Sequence, residues 1–152
     1  MGIGLLAPLA QTICFEVPGE PVPQGSGRPI RAGNGRTYVI ADSGRLRPWR
    51  DAVTWHARRA SAGRPPLAGA VAVELAFTFI RPRWHYGRRG LRPSAPLGHA
   101  VRPDLDKLAR AVLDALVGAG VIRDDAQVAE LHATKGYGER PGLAVALRSL
   151  EG

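Results

Sequence analysis

The chain has 152 residues, 45% of them hydrophobic, and a formal net charge of +8, which allows one domain with a core and little room for a second. Nineteen of its 21 basic residues are arginine; the planar guanidinium fork suits phosphate oxygens, so this charge favours nucleic acid over an acidic protein or a membrane surface. Cys14 is the single cysteine, which rules out an internal disulfide or a thiolate cluster, and no run reaches the roughly 20 apolar residues of a membrane span, so the chain reads as cytoplasmic.

Residues 1–11 are mildly apolar, lack the basic start of a signal peptide, and are expected to be a flexible extension. Thr12 to Val17 alternates as a strand does. Pro18 to Arg36 is crowded with glycine and proline and predicts a basic loop. Thr37 to Ile40 is a short β-prone run. A helix is expected to begin near Ser43 or Gly44, with Trp49, Ala52, Val53, His56 and Ala60 along its inner face, and to end at Gly63, Pro65 and Pro66. Val71 to Ile80 is the strongest strand signal, with Val71, Val73, Leu75, Phe77 and Phe79 on one face.

Arg81 to Pro103 has no periodicity and predicts a long mobile loop. Leu105 to Val117 predicts a helix buried along Leu105, Leu108, Val112, Ala115 and Leu116, stopped by Gly118 and Gly120. Val128 to Lys135 and Leu143 to Leu147 complete the chain as strands. The order predicts a single α+β domain: a mixed or antiparallel sheet with two main helices packed on it.

Charge is segregated along this framework. Five of the seven aspartates lie between Asp104 and Asp125, whereas residues 81–103 hold six arginines and no acid. Clustered carboxylates repel unless something positive sits among them. Pro103 marks a helix boundary, so Asp104 suits the cap and Asp106 the first turn, both at the positive end of the helix dipole. Asp106, Arg110 and Asp114 follow at four-residue spacing, which also fits a plain surface ion-pair ladder. Asp124 and Asp125 form a second pair just after the helix. If the next strand runs back along the helix, the two pairs could meet. Magnesium, or manganese in its place, takes such oxygen ligands, and two ions could flank a scissile phosphate. Lys107 and Arg110 are the cations placed to balance phosphate charge. Taken singly, each aspartate is better read as a cap or a solvated turn; taken together beside a basic loop, they favour metal binding.

Arg28, Arg31 and Arg36 in the first loop and Arg81, Arg83, Arg88, Arg89, Arg92 and Arg102 in the second are candidate phosphate contacts. Trp84 and Tyr86 could stack on unpaired bases. His85 and His99 lack partners at ligand spacing, and His56 and His132 read as structural.

The block RPDLDKLARAVLDALVGAGVIRDDAQV, from Arg102 to Val128, resembles the RusA family of Holliday junction resolvases, as do VPGEPVPQGSGR and the phage-type HY…SAP…H…RPD loop. The resemblance implies a homodimeric, magnesium-dependent endonuclease that resolves four-way DNA junctions by paired nicks, in recombination, repair or phage DNA processing. It implies active-site roles for Asp104, Asp106 and Asp125, with Asp124 beside them. Some members carry asparagine where this chain has Lys107, and a functional lysine where it has Arg110. Either cation here can stabilise phosphate charge, but Arg110 cannot shuttle a proton. A twofold enzyme also suits the symmetric scissile phosphates of a junction. The rival reading is a non-catalytic DNA-binding module whose aspartates only cap helices and pair with arginine. An EF-hand is excluded because Leu108 and Ala109 stand where a ligand and a glycine are needed.

Overall fold

In the computed structural model, residues 12–25, 28–40 and 44–151 are described. The extension expected over residues 1–11, Ser43, and the side chain of Arg28 lie outside them. A four-stranded mixed sheet is built from β1 (Thr12–Pro18), β4 (Val71–Phe79), β7 (Val128–Tyr137) and β8 (Gly142–Ser149), in the order β1-β8-β4-β7. β8 runs antiparallel to both of its neighbours, whereas β7 runs parallel to β4. A parallel neighbour needs a crossover connection. Here it carries α2 (Leu105–Gly118), so β4, α2 and β7 form a βαβ unit. The final two strands are consecutive in sequence but not paired, because β4 lies between them.

Strand alternation fixes which face is buried. Ile13, Leu147, Val73 and Leu131 form one row across the sheet, and Val17, Leu143, Phe77 and Lys135 form another. All but the β7 members of those rows are buried. Helices α1 (Leu46–Ala60) and α2 cover this face, and one cluster joins Trp49, Val53 and Ala57 of α1 to Leu108, Val112, Ala115 and Leu116 of α2 and to the strand residues. The inner stripe of α1 is therefore centred on Trp49, Val53 and Ala57, with Ala52, His56 and Ala60 on its flanks. Val121 and Ile122, just past α2, are also fully buried and pull the chain down towards β7.

Two segments that predict as loops contain short pairings. β2 (Arg28–Arg31) pairs with β3 (Thr37–Ile40) in a separate two-stranded sheet. Between β4 and α2, a 3-10 turn at Arg83–His85 leads into a hairpin of β5 (Tyr86–Gly87) and β6 (Gly90–Leu91). Both are too short for a periodicity signal.

Leu108 is fully buried at the junction of helices and sheet, whereas Leu97 in the long loop is 92% exposed. Leu108→Ala is expected to cost about 2–5 kcal/mol by leaving a cavity. Leu97→Ala should stay within about 0.5 kcal/mol. Urea unfolding midpoints of the two variants check this contrast.

Candidate active site

The N-terminus of α2 is held in place from two sides. Lys135 of β7 donates from Nζ to the carbonyls of Val101 and Pro103, at 2.6 and 2.9 Å, tying the end of the long loop to the sheet. From the other side, the Gln24 amide donates to the Lys107 carbonyl at 3.0 Å. That bond seats the PVPQ segment against the first turn of the helix. A cleft of about 340 Å³ results, lined in part by Glu20, Gln24, Arg45, Arg102, Asp104 and Lys107.

Asp104 occupies the cap position, with extended backbone, yet its side chain makes no capping hydrogen bond. Its carboxylate instead points outward, 3.8 Å from Lys107 Nζ. Asp106 is exposed in the first helical turn. The ladder of Asp106, Arg110 and Asp114 does not form: among the described residues no ion pair joins them. Asp104 is held only by that long ion pair and neither carboxylate caps the helix, so both sit where the helix dipole favours anions.

The second acidic pair divides its labour. Asp124 caps the 3-10 turn Asp125–Gln127, accepting from the Ala126 amide at 2.8 Å. That amide, with the neighbouring Asp125 carboxyl second, holds the Asp124 pKa below the ordinary carboxylate value. Gln127 closes the cap: its Oε1 accepts from the amides of Arg123 and Asp124, and its Nε2 donates to the carbonyls of Leu67 and Gly69. The Asp124–Asp125 turn is thereby bolted to the segment that enters β4. Asp125 is exposed at its outer corner, with a side chain that caps nothing.

The two pairs do not meet within one chain. They lie at opposite ends of α2, whose 14 residues span about 21 Å. The strand distance agrees: Val128 to Lys135 of β7 covers roughly 23 Å. Among the described residues, no group of three or more His, Cys, Asp or Glu side chains could hold a metal ion. β7 does run back along the helix, but it starts at the helix's far end and so returns the second pair to the wrong end.

The arginine-rich loop has an interior of its own. His85 and His99 are buried against Tyr137 and, for His99, Phe79. Arg81 is turned inward, with its guanidinium 4.6 Å from the Tyr137 ring centre, 2.6 Å from the Pro96 carbonyl and 3.2 Å from His85 Nδ1. Arg92 braces the hairpin through the Tyr86 carbonyl at 3.0 Å. These two arginines hold the loop together. Arg83, Arg88, Arg89 and Arg102 are exposed, Trp84 is 62% exposed with its ring edge against His85, and Tyr86 is exposed beside it. Arg31 and Arg36 are exposed on or beside the small β2–β3 sheet.

Gln127 and Lys135 are absent from the sequence-based list of site residues although they position both acidic pairs. The spacing of DDAQ is that of a capping box, a signal the sequence did contain. Lys135 gave none, since nothing local marks a strand lysine as an anchor for a distant loop.

The frame is α+β, with acids at both ends of one helix and an arginine-rich loop leading into its N-terminus. The chain belongs to the RusA family: the model for Endodeoxyribonuclease RusA matches residues 18–148, most of its length. Comparison with curated proteins gives no match.

Burial, then the Arg81 charge, lowers the His85 pKa, and burial, then Lys135, lowers that of His99. Both imidazoles are kept neutral in the fold, whereas an unfolded histidine takes its proton near pH 6.5. Their contribution is complete above that value and is lost as pH falls below it towards the lowered folded values. Thermal midpoints should therefore drop from pH 7.5 to pH 5, and His85→Phe should shrink that drop.

Proposed function

We propose that the protein is a divalent-metal-dependent, structure-selective endonuclease that resolves four-way DNA junctions as a homodimer, in recombination, repair or phage DNA processing. Membership of an endodeoxyribonuclease family supports the reaction class. The observation that carries the rest is the pair of non-capping carboxylates, Asp104 with a single long ion pair to Lys107 and Asp106 exposed, at the positive end of α2 beside an arginine-rich loop.

Two carboxylates alone make a weak magnesium site, and the third acidic group, Asp125, is about 20 Å away in the same chain. The site becomes complete when Asp104 and Asp106 of one protomer are joined by the partner subunit's Asp125. Such a set of hard oxygen donors fits magnesium or manganese. The ion, when bound, supplies an activated water and charge neutralisation at the phosphate. Lys107 and Arg110 flank the same helix turn and are assigned to phosphate charge, since an arginine cannot serve as a base at neutral pH. Asp124 supports the turn that presents Asp125. Arg83, Arg88, Arg89 and Arg102, with Arg28, Arg31 and Arg36 on the other loop, are assigned to the phosphate backbone. Trp84 and Tyr86 are assigned to bases opened at the branch point. Arg81 and Arg92 act by shaping the loop that carries these groups.

A mixing experiment tests the composite site. Asp106→Asn and Asp125→Asn homodimers should each lose magnesium-dependent nicking of a four-way junction by about 100-fold or more while still binding it. A heterodimer of the two variants concentrates both defects in one site and leaves the other intact, so nicking should return on one strand. Absence of recovery sinks the shared-site reading. Binding without any cutting by the wild-type protein, equal in EDTA and magnesium, leaves only a DNA-binding module.

Salt dependence tests the loop. Replacing Arg88 and Arg89 together by alanine should weaken junction binding at all sequences. It should also lower the slope of log affinity against log salt by about 2, one unit per lost phosphate contact. Fluorescence anisotropy between 50 and 200 mM salt reads both effects.

A further inference from the structure

Helix α1 opens against the usual electrostatics of a helix start. The positive end of a helix favours acids and disfavours cations. α2 obeys this, with Asp104 at its cap position and Asp106 in its first turn. α1 has Arg45 at its cap position, Arg47 in its first turn, no acid in that turn and no side-chain capping hydrogen bond. Local conflicts of this kind concentrate where function requires them. The carboxylate paired with Arg45 comes from elsewhere in the chain: Glu20, just after β1, lies 3.0 Å from its guanidinium.

Arg45 and Glu20 line the same cleft as Asp104. Arg102 and Lys107 line it too, so three cations share the cleft with two carboxylates. Both carboxylates are engaged, Glu20 by Arg45 and Asp104 by Lys107, whereas Arg102 has no ion pair among the described residues. The Glu20 and Arg45 side chains are each 61% exposed, and an exposed pair is weak and readily exchanged for a better anion. A phosphodiester is such an anion: its two free oxygens match the guanidinium fork, and it brings negative charge to the start of α1. The backbone is pinned on both sides of Glu20, by the Gly19 amide on the Pro141 carbonyl and the Gln24 amide on the Lys107 carbonyl. Only the Glu20 side chain has to swing away.

We propose that this cleft seats a backbone phosphate of the cut strand, with Arg45 as its main contact and Glu20 as a built-in competitor that holds Arg45 until DNA arrives. The proposal rests on the nuclease reading above and adds Arg45 and Glu20 to its DNA surface. Asp104, assigned there to the metal at the scissile phosphate, lines the same cleft, so the phosphate on Arg45 belongs to the neighbouring nucleotide. Glu20 stands in for that phosphate in the free protein, giving α1 the negative charge its own first turn lacks.

The experiment measures binding of the full chain to a four-way junction in EDTA by fluorescence anisotropy, so that metal binding and cutting do not enter. Arg45→Ala should weaken binding about tenfold, with an unchanged circular dichroism spectrum. It should also lower the slope of log affinity against log salt by about 1. Glu20→Gln should tighten binding about threefold, and the gain should vanish in the Arg45→Ala background. Glu16 alternates with buried Val17 on β1 and so lies on the sheet face turned away from the helices; Glu16→Gln removes an equal charge there and should not reproduce the gain. A single neutral methylphosphonate is then moved along the cut strand. At one position beside the cut it should weaken binding by the wild type and leave Arg45→Ala unaffected. The subsite is overturned by a Glu20→Gln protein that binds no tighter than wild type, by a gain that persists without Arg45 or is matched by Glu16→Gln, or by the absence of any such methylphosphonate position. Failure of the wild type to bind the junction sinks the nuclease reading itself. Binding and cutting that proceed without coupling between Arg45 and Glu20 sink this subsite alone.

Discussion

Parallel pairing of β7 with β4 governs the layout of this molecule. A strand cannot return parallel to its neighbour without crossing the face of the sheet, and here the crossing is made by α2. The helix must run opposite to the strands, so whatever precedes it sits at one end of the sheet and whatever follows it sits at the other. Asp104 and Asp106 precede or open the helix; Asp124 and Asp125 follow it. Seventeen residues of sequence between the inner members of these pairs become a separation of about 20 Å because almost all of them are helix and tight turn. The same geometry leaves one acidic pair at each end of the helix, each on its own corner of the fold.

Both acidic corners are braced by side chains far from the helix start in sequence. Lys135 gives its ammonium to two loop carbonyls, so the last residues before Asp104 are indexed to the sheet. Gln127 does the same for the turn that bears Asp125. The basic loop follows a similar rule: buried His85 and His99, packed edge-on and tilted against half-buried Tyr137, with Arg81 laid over the tyrosine ring, form a small core beneath exposed arginines. A chain this rich in arginine can spend some of that charge on internal bracing, because guanidinium has five donors and a flat face.

Much of the frame was legible in the sequence because it is written in periodicity. Val71, Val73, Leu75, Phe77 and Phe79 alternate as a half-covered strand must, and Leu108, Val112, Ala115 and Leu116 recur as a helix stripe must; both sets are buried. Thr37–Ile40 is legible as a β-prone run, but its partner Arg28–Arg31 and the pairing of Tyr86–Gly87 with Gly90–Leu91 are too short to alternate visibly. Strand order was not legible, since alternation records which face is buried and not which neighbour is beside it. The acids were legible as a group but not as a geometry: their proximity in sequence suggested convergence, and only the parallel crossover reveals that they point to opposite ends. Asp104 and Asp124 illustrate the difference at single residues. Both sit at cap positions, but Asp124 accepts the amide hydrogen its position offers and Asp104 does not.

Gln127 carries one further implication. Its side-chain amide uses the acceptor half towards two backbone N–H groups and the donor half towards two backbone carbonyls. Chemical ageing of glutamine to glutamate replaces that NH₂ with an oxygen of nearly identical size. Shape is conserved, but the donors vanish and a negative charge is pressed against the carbonyl oxygens of Leu67 and Gly69. Water can replace the donor at exposed Gly69, so the loss falls mainly on the half-buried Leu67 carbonyl. A glutamate at position 127 would therefore loosen the corner that carries Asp125 while leaving the hydrophobic interior untouched.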